Sequence, residues 1–136
     1  MWVKSYSKVF QGITKADVWR AWSDVNSWPT WDSELDYCKM DAAFVKGTQF
    51  ILKPKGGPNV NITLSDVKPN ESFTDYCKFF GATMYDAHTL EDTPDGLRIT
   101  NTITMTGPLR FVWIHLVVKN IVASLPKQMD ALVGSV

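Results

Sequence analysis

Cysteine and histidine are scarce in this chain, with two of each among 136 residues. Two cysteines cannot build a disulfide scaffold or a Cys-rich zinc site. Two histidines argue against a multi-histidine metal centre. No metal and no cofactor is therefore expected. Charge of one sign is lacking too, because 14 Lys+Arg balance 14 Asp+Glu to a formal charge of zero. That argues against a nucleic-acid partner, which demands a clustered basic excess. No apolar run approaches the roughly 18 residues that span a bilayer, so stable membrane insertion is not expected. The opening MWVKSYSKVF alternates where a secretion signal would have a solid apolar core, and a cytoplasmic chain is the expectation. What remains is 45% hydrophobic and 21% charged, the balance of a globular protein. The length suits one domain over residues 1–136. These exclusions point to a small-molecule partner.

Seven strand-like runs and two helical regions cover almost the whole chain. Residues 2–10 alternate and are rich in β-branched and aromatic side chains, as a half-buried strand requires. Thr14-Lys15-Ala16-Asp17 reads as a capping box that starts a helix. Val18, Ala21, Trp22 and Val25 form its single apolar stripe. A second short helical segment follows over Asn26–Asp32, with Pro29 tolerated in a first turn. Strands are predicted near 35–40, 47–53, 60–65, 72–80, 84–91 and 97–105. The breaks between them are Lys55-Gly56-Gly57-Pro58, Pro69-Asn70, Gly81-Ala82-Thr83 and Pro94-Asp95-Gly96. Lys55–Pro58 lacks both the spacing and the following helix of a phosphate loop, so it reads as a hairpin.

The last strand carries the clearest period of two: Leu97, Ile99, Asn101, Ile103 and Met105 on one face, Arg98 and four threonines on the other. After Gly107-Pro108 the period changes. Phe111, Ile114, Val118, Ile121, Leu125, Met129 and Leu132 recur every three or four residues, so the chain ends in a long amphipathic helix. Pro126 inside it predicts a kink. One helix is about 10 Å across and cannot cover the concave face of a seven-stranded antiparallel sheet. A gap between helix and sheet is built into that architecture.

Four segments give this order a resemblance. They are Ala16-Asp17-Val18-Trp19, Asp24-Val25-Asn26-Ser27-Trp28-Pro29-Thr30-Trp31, Pro94-Asp95-Gly96-Leu97-Arg98-Ile99-Thr100, and Ser124-Leu125-Pro126-Lys127-Gln128-Met129-Asp130-Ala131-Leu132. With them the chain resembles the START-like (SRPBCC) superfamily of helix-grip proteins, which includes polyketide cyclase/dehydrase-like proteins and lipid-transfer domains. The resemblance implies an α+β fold: a curved antiparallel sheet of about seven strands around a long C-terminal helix, with two short helices after strand 1. It also implies a cavity between sheet and helix, with Trp28 and Trp31 at one rim. Fold likeness alone implies no reaction.

The candidate site follows from strand phase. If Leu90 faces inward with Leu97 and Ile99, then Asp86, His88 and Asn101 do as well. Three polar groups on an apolar face need partners, at roughly 1–3 kcal/mol for each left unsatisfied. They can anchor a ligand, or Asp86 can orient His88 as an acid–base pair; the plainer alternative is an internal hydrogen-bond network. The expected ligand contacts are Trp28, Trp31, Phe50, Asp86, His88, Asn101, Ile103, Met105, Ile114 and Val118. Trp28 and Trp31 serve equally as a hydrophobic cluster holding the short helix down. The phase of Asp75, Cys38 and Cys77 stays open, and both thiols read as buried and free. Leu109, Val112, Trp113 and Leu116 make the final helix apolar on its outer side. A homodimer contact, or coverage by the 47–58 hairpin or the short helices, would account for them.

Three functions are compatible with these residues. The first is binding, transport or sequestration of a small hydrophobic or aromatic molecule such as a lipid, isoprenoid or polyketide-like compound. The second is a cyclase or dehydratase using His88 and Asp86. The third is an interaction module acting through the apolar C-terminal helix.

Overall fold

The computed structural model describes residues 1–136. Seven strands run β1 (Trp2–Phe10), β2 (Leu35–Lys39), β3 (Gln49–Pro54), β4 (Val60–Lys68), β5 (Ser72–Phe79), β6 (Ala82–Thr93) and β7 (Gly96–Thr106). They form one antiparallel sheet in the order β1-β7-β6-β5-β4-β3-β2. Strands β1 and β2 are consecutive in the chain yet occupy opposite edges. The connection between them is α1 (Lys15–Ser23) and a 3₁₀ helix (Val25–Thr30). The chain closes with α2 (Arg110–Trp113), a π-helical segment (Ile114–Val118) and α3 (Lys119–Ser135). This is the helix-grip arrangement.

Local chemistry sets the element ends. Thr14 accepts from the Asp17 N–H at 3.2 Å, and the Thr14 N–H donates to the Asp17 carboxylate at 3.0 Å, a reciprocal capping box. The β6–β7 hairpin closes through Pro94-Asp95, with Thr93 paired to Gly96. Gly96 takes a φ of 138°, and a Cβ there would lie 2.4 Å from the Phe10 carbonyl oxygen. Only glycine fits. The β5–β6 turn is Phe80-Gly81, with Phe79 paired to Ala82.

Strand phase agrees with the alternation. Leu97, Ile99, Asn101, Ile103 and Met105 are all buried, as are His88 and Leu90 on β6. Strand β5 buries Phe73, Asp75 and Cys77, which settles the phase of Asp75. Register shifts lie between Leu64 and Asp66 and between Leu35 and Tyr37. Phe73 sits in the main core, fully buried among the rings of Trp19, Trp22, Trp28 and Phe44. Trp19, off the stripe of α1, packs edge-on against Phe44 of the β2–β3 loop at 5.7 Å.

The final helix differs from expectation in one respect. Pro126 lies inside α3, and a π-type irregularity that the sequence did not announce lies upstream at Ile114–Val118. There the Lys119 N–H reaches back to the Ile114 carbonyl, a π-type bond with an extra residue in the turn. The wider turn rotates the first residues relative to the rest. Phe111, expected on the core stripe, is 62% exposed, while Val118, Leu125, Met129 and Leu132 are buried as the period requires. No helix is long and apolar enough to cross a membrane.

Candidate functional site

Between the concave face and α3 lies a cavity of about 320 Å³. The sheet contributes Leu35, Leu52, Val60, Ile62, Phe79 and Met84 to its wall. The helix contributes Val117, Ile121, Ser124, Gln128 and Ala131, a stripe beside the core stripe at steps of three and four. Trp28 closes one side, and Asp32, Ser33 and Glu34 stand on the segment before β2. Asp75, Cys77, Asp86 and His88 form a polar patch on β5 and β6, apart from the polar residues of the 32–34 segment and of the helix.

The sheet register builds that patch. Asp75 lies directly opposite Asp86, and His88 lies between Phe73 and Asn101. The His88 Nε2 is 3.4 Å from the Asp86 carboxylate, and the Asn101 amide donates to Asp86 at 3.3 Å. His88 is held by ring contacts: it stacks on Phe73 at 3.9 Å and 9°, with Trp22 edge-on at 5.5 Å. Its Nδ1 is buried without a partner. Burial holds the His88 pKa below its ordinary value against the opposing pull of Asp86, so the imidazole is neutral near pH 7. Burial pushes the Asp86 carboxyl upward, and His88 and Asn101 pull it back. Asp75 is raised well above the ordinary carboxylate value, first by burial and then by the charge of Asp86. The Cys77 and Cys38 thiols are both pushed up to about 12 by burial and nearby carboxylates. Both cysteines are free and buried. No group of three or more His, Cys, Asp or Glu side chains converges as a metal site.

The expected contacts divide in two. Trp28, Asp86 and His88 are on the cavity wall. Trp28 also donates its indole N–H to the Trp22 carbonyl at 3.0 Å, so it pins the 3₁₀ helix as well. Trp31 and Asn101 instead border a separate gap of about 30 Å³. Phe50 is buried edge-on to Trp28 at 5.5 Å and does not line this cavity. Ile103, Met105 and Val118 are fully buried in a second small core, with Ile114 packed against it. They face inward as expected, but protein rather than cavity covers them. The lining residues not among the expected contacts include Asp75, whose phase the sequence left open, the sheet residues Leu52, Val60, Ile62 and Met84, and the helix stripe from Val117 to Ala131. The two-residue turn at Phe80-Gly81 was the available signal for Asp75. Counting back from Phe79 opposite Ala82 puts Asp75 against Asp86.

On the outer side of the helix, Val112 and Leu116 are exposed, while Leu109, 37% exposed, packs over Gly81 of the β5–β6 turn. Trp113 is partly accounted for: it stacks on Phe79 at 4.8 Å and donates to the Phe80 carbonyl at 2.8 Å. His115 is exposed on the helix surface.

A curved sheet gripping a helix over an apolar cavity defines a class of ligand-binding folds. The chain belongs to the polyketide cyclase/dehydrase and lipid transport family, whose model matches residues 3–134. No curated protein matches the sequence. Among solved structures it is similar to protein MLL2253 from Mesorhizobium loti, with a TM-score of 0.73 and 15% identity, covering 96% of this chain and 93% of that one. It is similar to hypothetical protein jhp0584 from Helicobacter pylori at a TM-score of 0.79 and 15% identity, covering 98% and 86%. Ara h 8.0201 matches at a TM-score of 0.71 and 12% identity, covering 98% and 97%. At these identities the likeness is one of fold.

Proposed function

We propose that the chain binds a compact, mostly apolar molecule between the sheet and α3, and so carries or sequesters it. The observation that supports this most is a cavity of about 320 Å³ with a mainly apolar wall, onto which Asp75, Asp86 and His88 converge from β5 and β6. Small-molecule sites have that composition, and this volume lies at the low end of the ~300–1,000 Å³ they occupy. A one- or two-ring molecule suits it better than a long acyl chain. Its polar group would meet Asp75, Asp86 or His88, where an unpaired acceptor is costly.

The test is a calorimetric titration with 1-naphthylmethanol, a neutral two-ring probe, of the wild type and of Ala131→Phe. Ala131 lines the cavity, so the larger side chain occupies the ligand's space. The reading predicts saturable one-site binding that the variant loses while keeping its circular dichroism. Absence of saturable binding, or equal binding by a folded variant, overturns it.

A second reading is acid–base chemistry on the bound molecule. In its favour, His88 Nε2 lies 3.4 Å from Asp86, and both side chains line the cavity. His88→Ala would then abolish turnover with little change in affinity, whereas an anchoring His88 would change affinity alone.

A further inference from the structure

We infer that the molecule taken up by this cavity carries a basic nitrogen, a protonated amine on an apolar body, held by the carboxylates of Asp75 and Asp86. This rests on the binding reading above and narrows the ligand to one chemical class.

The two carboxylates are direct neighbours across β5 and β6, and both line the cavity. Asp86 has His88 at 3.4 Å and Asn101 at 3.3 Å, whereas Asp75, a residue only 7% exposed, has neither a side-chain hydrogen bond nor an ion pair within the chain, and its carboxyl opens onto the cavity. An ionised carboxylate in that position is costly unless something pairs with it, so Asp75 keeps its proton while unpaired and gives it up only to a cation that takes its place. The chain offers no cation. The one lysine on the cavity wall, Lys127, is 70% exposed at the mouth and pairs with Glu34 at 3.6 Å. His88 is held neutral by its burial. The remaining charged groups on the wall, Asp32 and Glu34, are acids as well. Asp32 already accepts from Gln128 at 2.9 Å and from the Glu34 N–H at 3.0 Å, which leaves Asp75 as the unpaired acceptor.

A cation arriving here would meet Asp86 and draw the proton off Asp75 beside it, in a medium that strengthens every charge interaction. An ammonium group offers up to three donors, enough to reach both acids at once. A neutral hydroxyl could donate to only one. An anion would meet repulsion from every acid on the wall. A bare divalent cation is disfavoured because no set of three ligating side chains converges. The rings of Trp28 and Phe79 on the same wall suit an aromatic body and can face its positive end.

The experiment compares three matched probes at near-neutral pH by calorimetry: 1-naphthylmethylamine, 1-naphthylmethanol and 1-naphthoate. Charged hydrogen bonds exceed neutral ones by enough to predict about tenfold tighter binding of the amine than of the alcohol. The naphthoate should not bind measurably. In the double variant Asp75→Asn, Asp86→Asn the preference for the amine should disappear. Equal or tighter binding of the alcohol by the wild type overturns the amine inference and leaves the cavity reading standing. A preference that survives in the folded double variant overturns it too. If none of the three binds, the cavity reading itself fails and the inference with it. The ranking by the wild type needs no variant to fold.

Discussion

Phe73 offers the sharpest test of the packing that holds the site. Its side chain is fully buried on β5, which is hydrogen-bonded to β4 and β6 on either side. It stacks on His88 and meets Trp22 and Phe44 edge-on, both at 5.1 Å. Phe73→Ala removes the ring and leaves a void that a doubly bonded strand cannot collapse into. Such substitutions cost about 3–5 kcal/mol, and each lost ring pair adds toward the upper end. That is a large share of the roughly 5–15 kcal/mol that stabilises an ordinary domain. With a urea m-value of about 2 kcal/mol/M, the midpoint should fall by about 2 M. Phe73→Leu refills much of the volume and loses mainly the ring geometry, so about half that shift is expected. Opening the stack should also let the His88 pKa climb back toward its ordinary 6.5, because burial is what depresses it. Urea denaturation and histidine NMR titration read the two effects. A midpoint shift below about 0.5 M for the alanine variant, or equal shifts for both variants, would refute this packing account.

Other predictions follow from the buried acids, the thiols and one turn. The raised pKa of Asp75 means the folded state keeps a proton that the unfolded state has released, so its contribution is full below pH 3.8 and is lost as pH rises. Asp75→Asn removes that loss. Its urea midpoint relative to wild type should therefore increase from acid to neutral pH, and a pH-independent difference would contradict the assignment. His88 acts in the opposite sense: its lowered pKa contributes stability above pH 6.5 that is lost as pH falls toward the depressed value. Cys38 and Cys77, with thiols held near 12, should resist iodoacetamide in the native protein at neutral pH and react only after unfolding. Rapid native alkylation would argue against their burial. Gly96→Ala forces a Cβ to within 2.4 Å of the Phe10 carbonyl and a strained φ, so it should lower the thermal midpoint through the β1–β7 edge. An unchanged midpoint would count against that close approach.

Much of the fold was legible because its signals are local. Thr14 and Asp17 announce their helix start, and the alternation of Leu97 to Met105 fixes the inward face of β7. The hairpin at Pro94-Asp95 carries that phase to His88 and Asp86. The site was legible only in part, because periodicity reports a side chain's face and not its position along the cavity. Ile103 and Met105 face inward as the pattern requires, yet the second core covers them. Phe50 is likewise buried, against Trp28, yet does not reach the cavity. Asp75 depended on register. Phe73, Asp75 and Cys77 on one face compete with Thr74, Tyr76 and Phe80 on the other, and the turn at Phe80-Gly81 decides between them. On the helix, the cavity stripe mixes Val117, Ile121 and Ala131 with Ser124 and Gln128, so it carries little apolar signal. The π segment at Ile114–Val118 also shifts the phase of everything before it.

The central claim is that a small molecule occupies the space between sheet and helix. Methyl-labelled NMR of the wild type titrated with 1-naphthylmethanol tests it most directly. The account predicts saturable shifts at Val60, Ile62, Met84, Ile121 and Ala131, which line the cavity, with Val112 and Leu116 on the outer helix face unmoved. Shifts confined to Val112 and Leu116, or no saturable shift at the lining methyls, would contradict it.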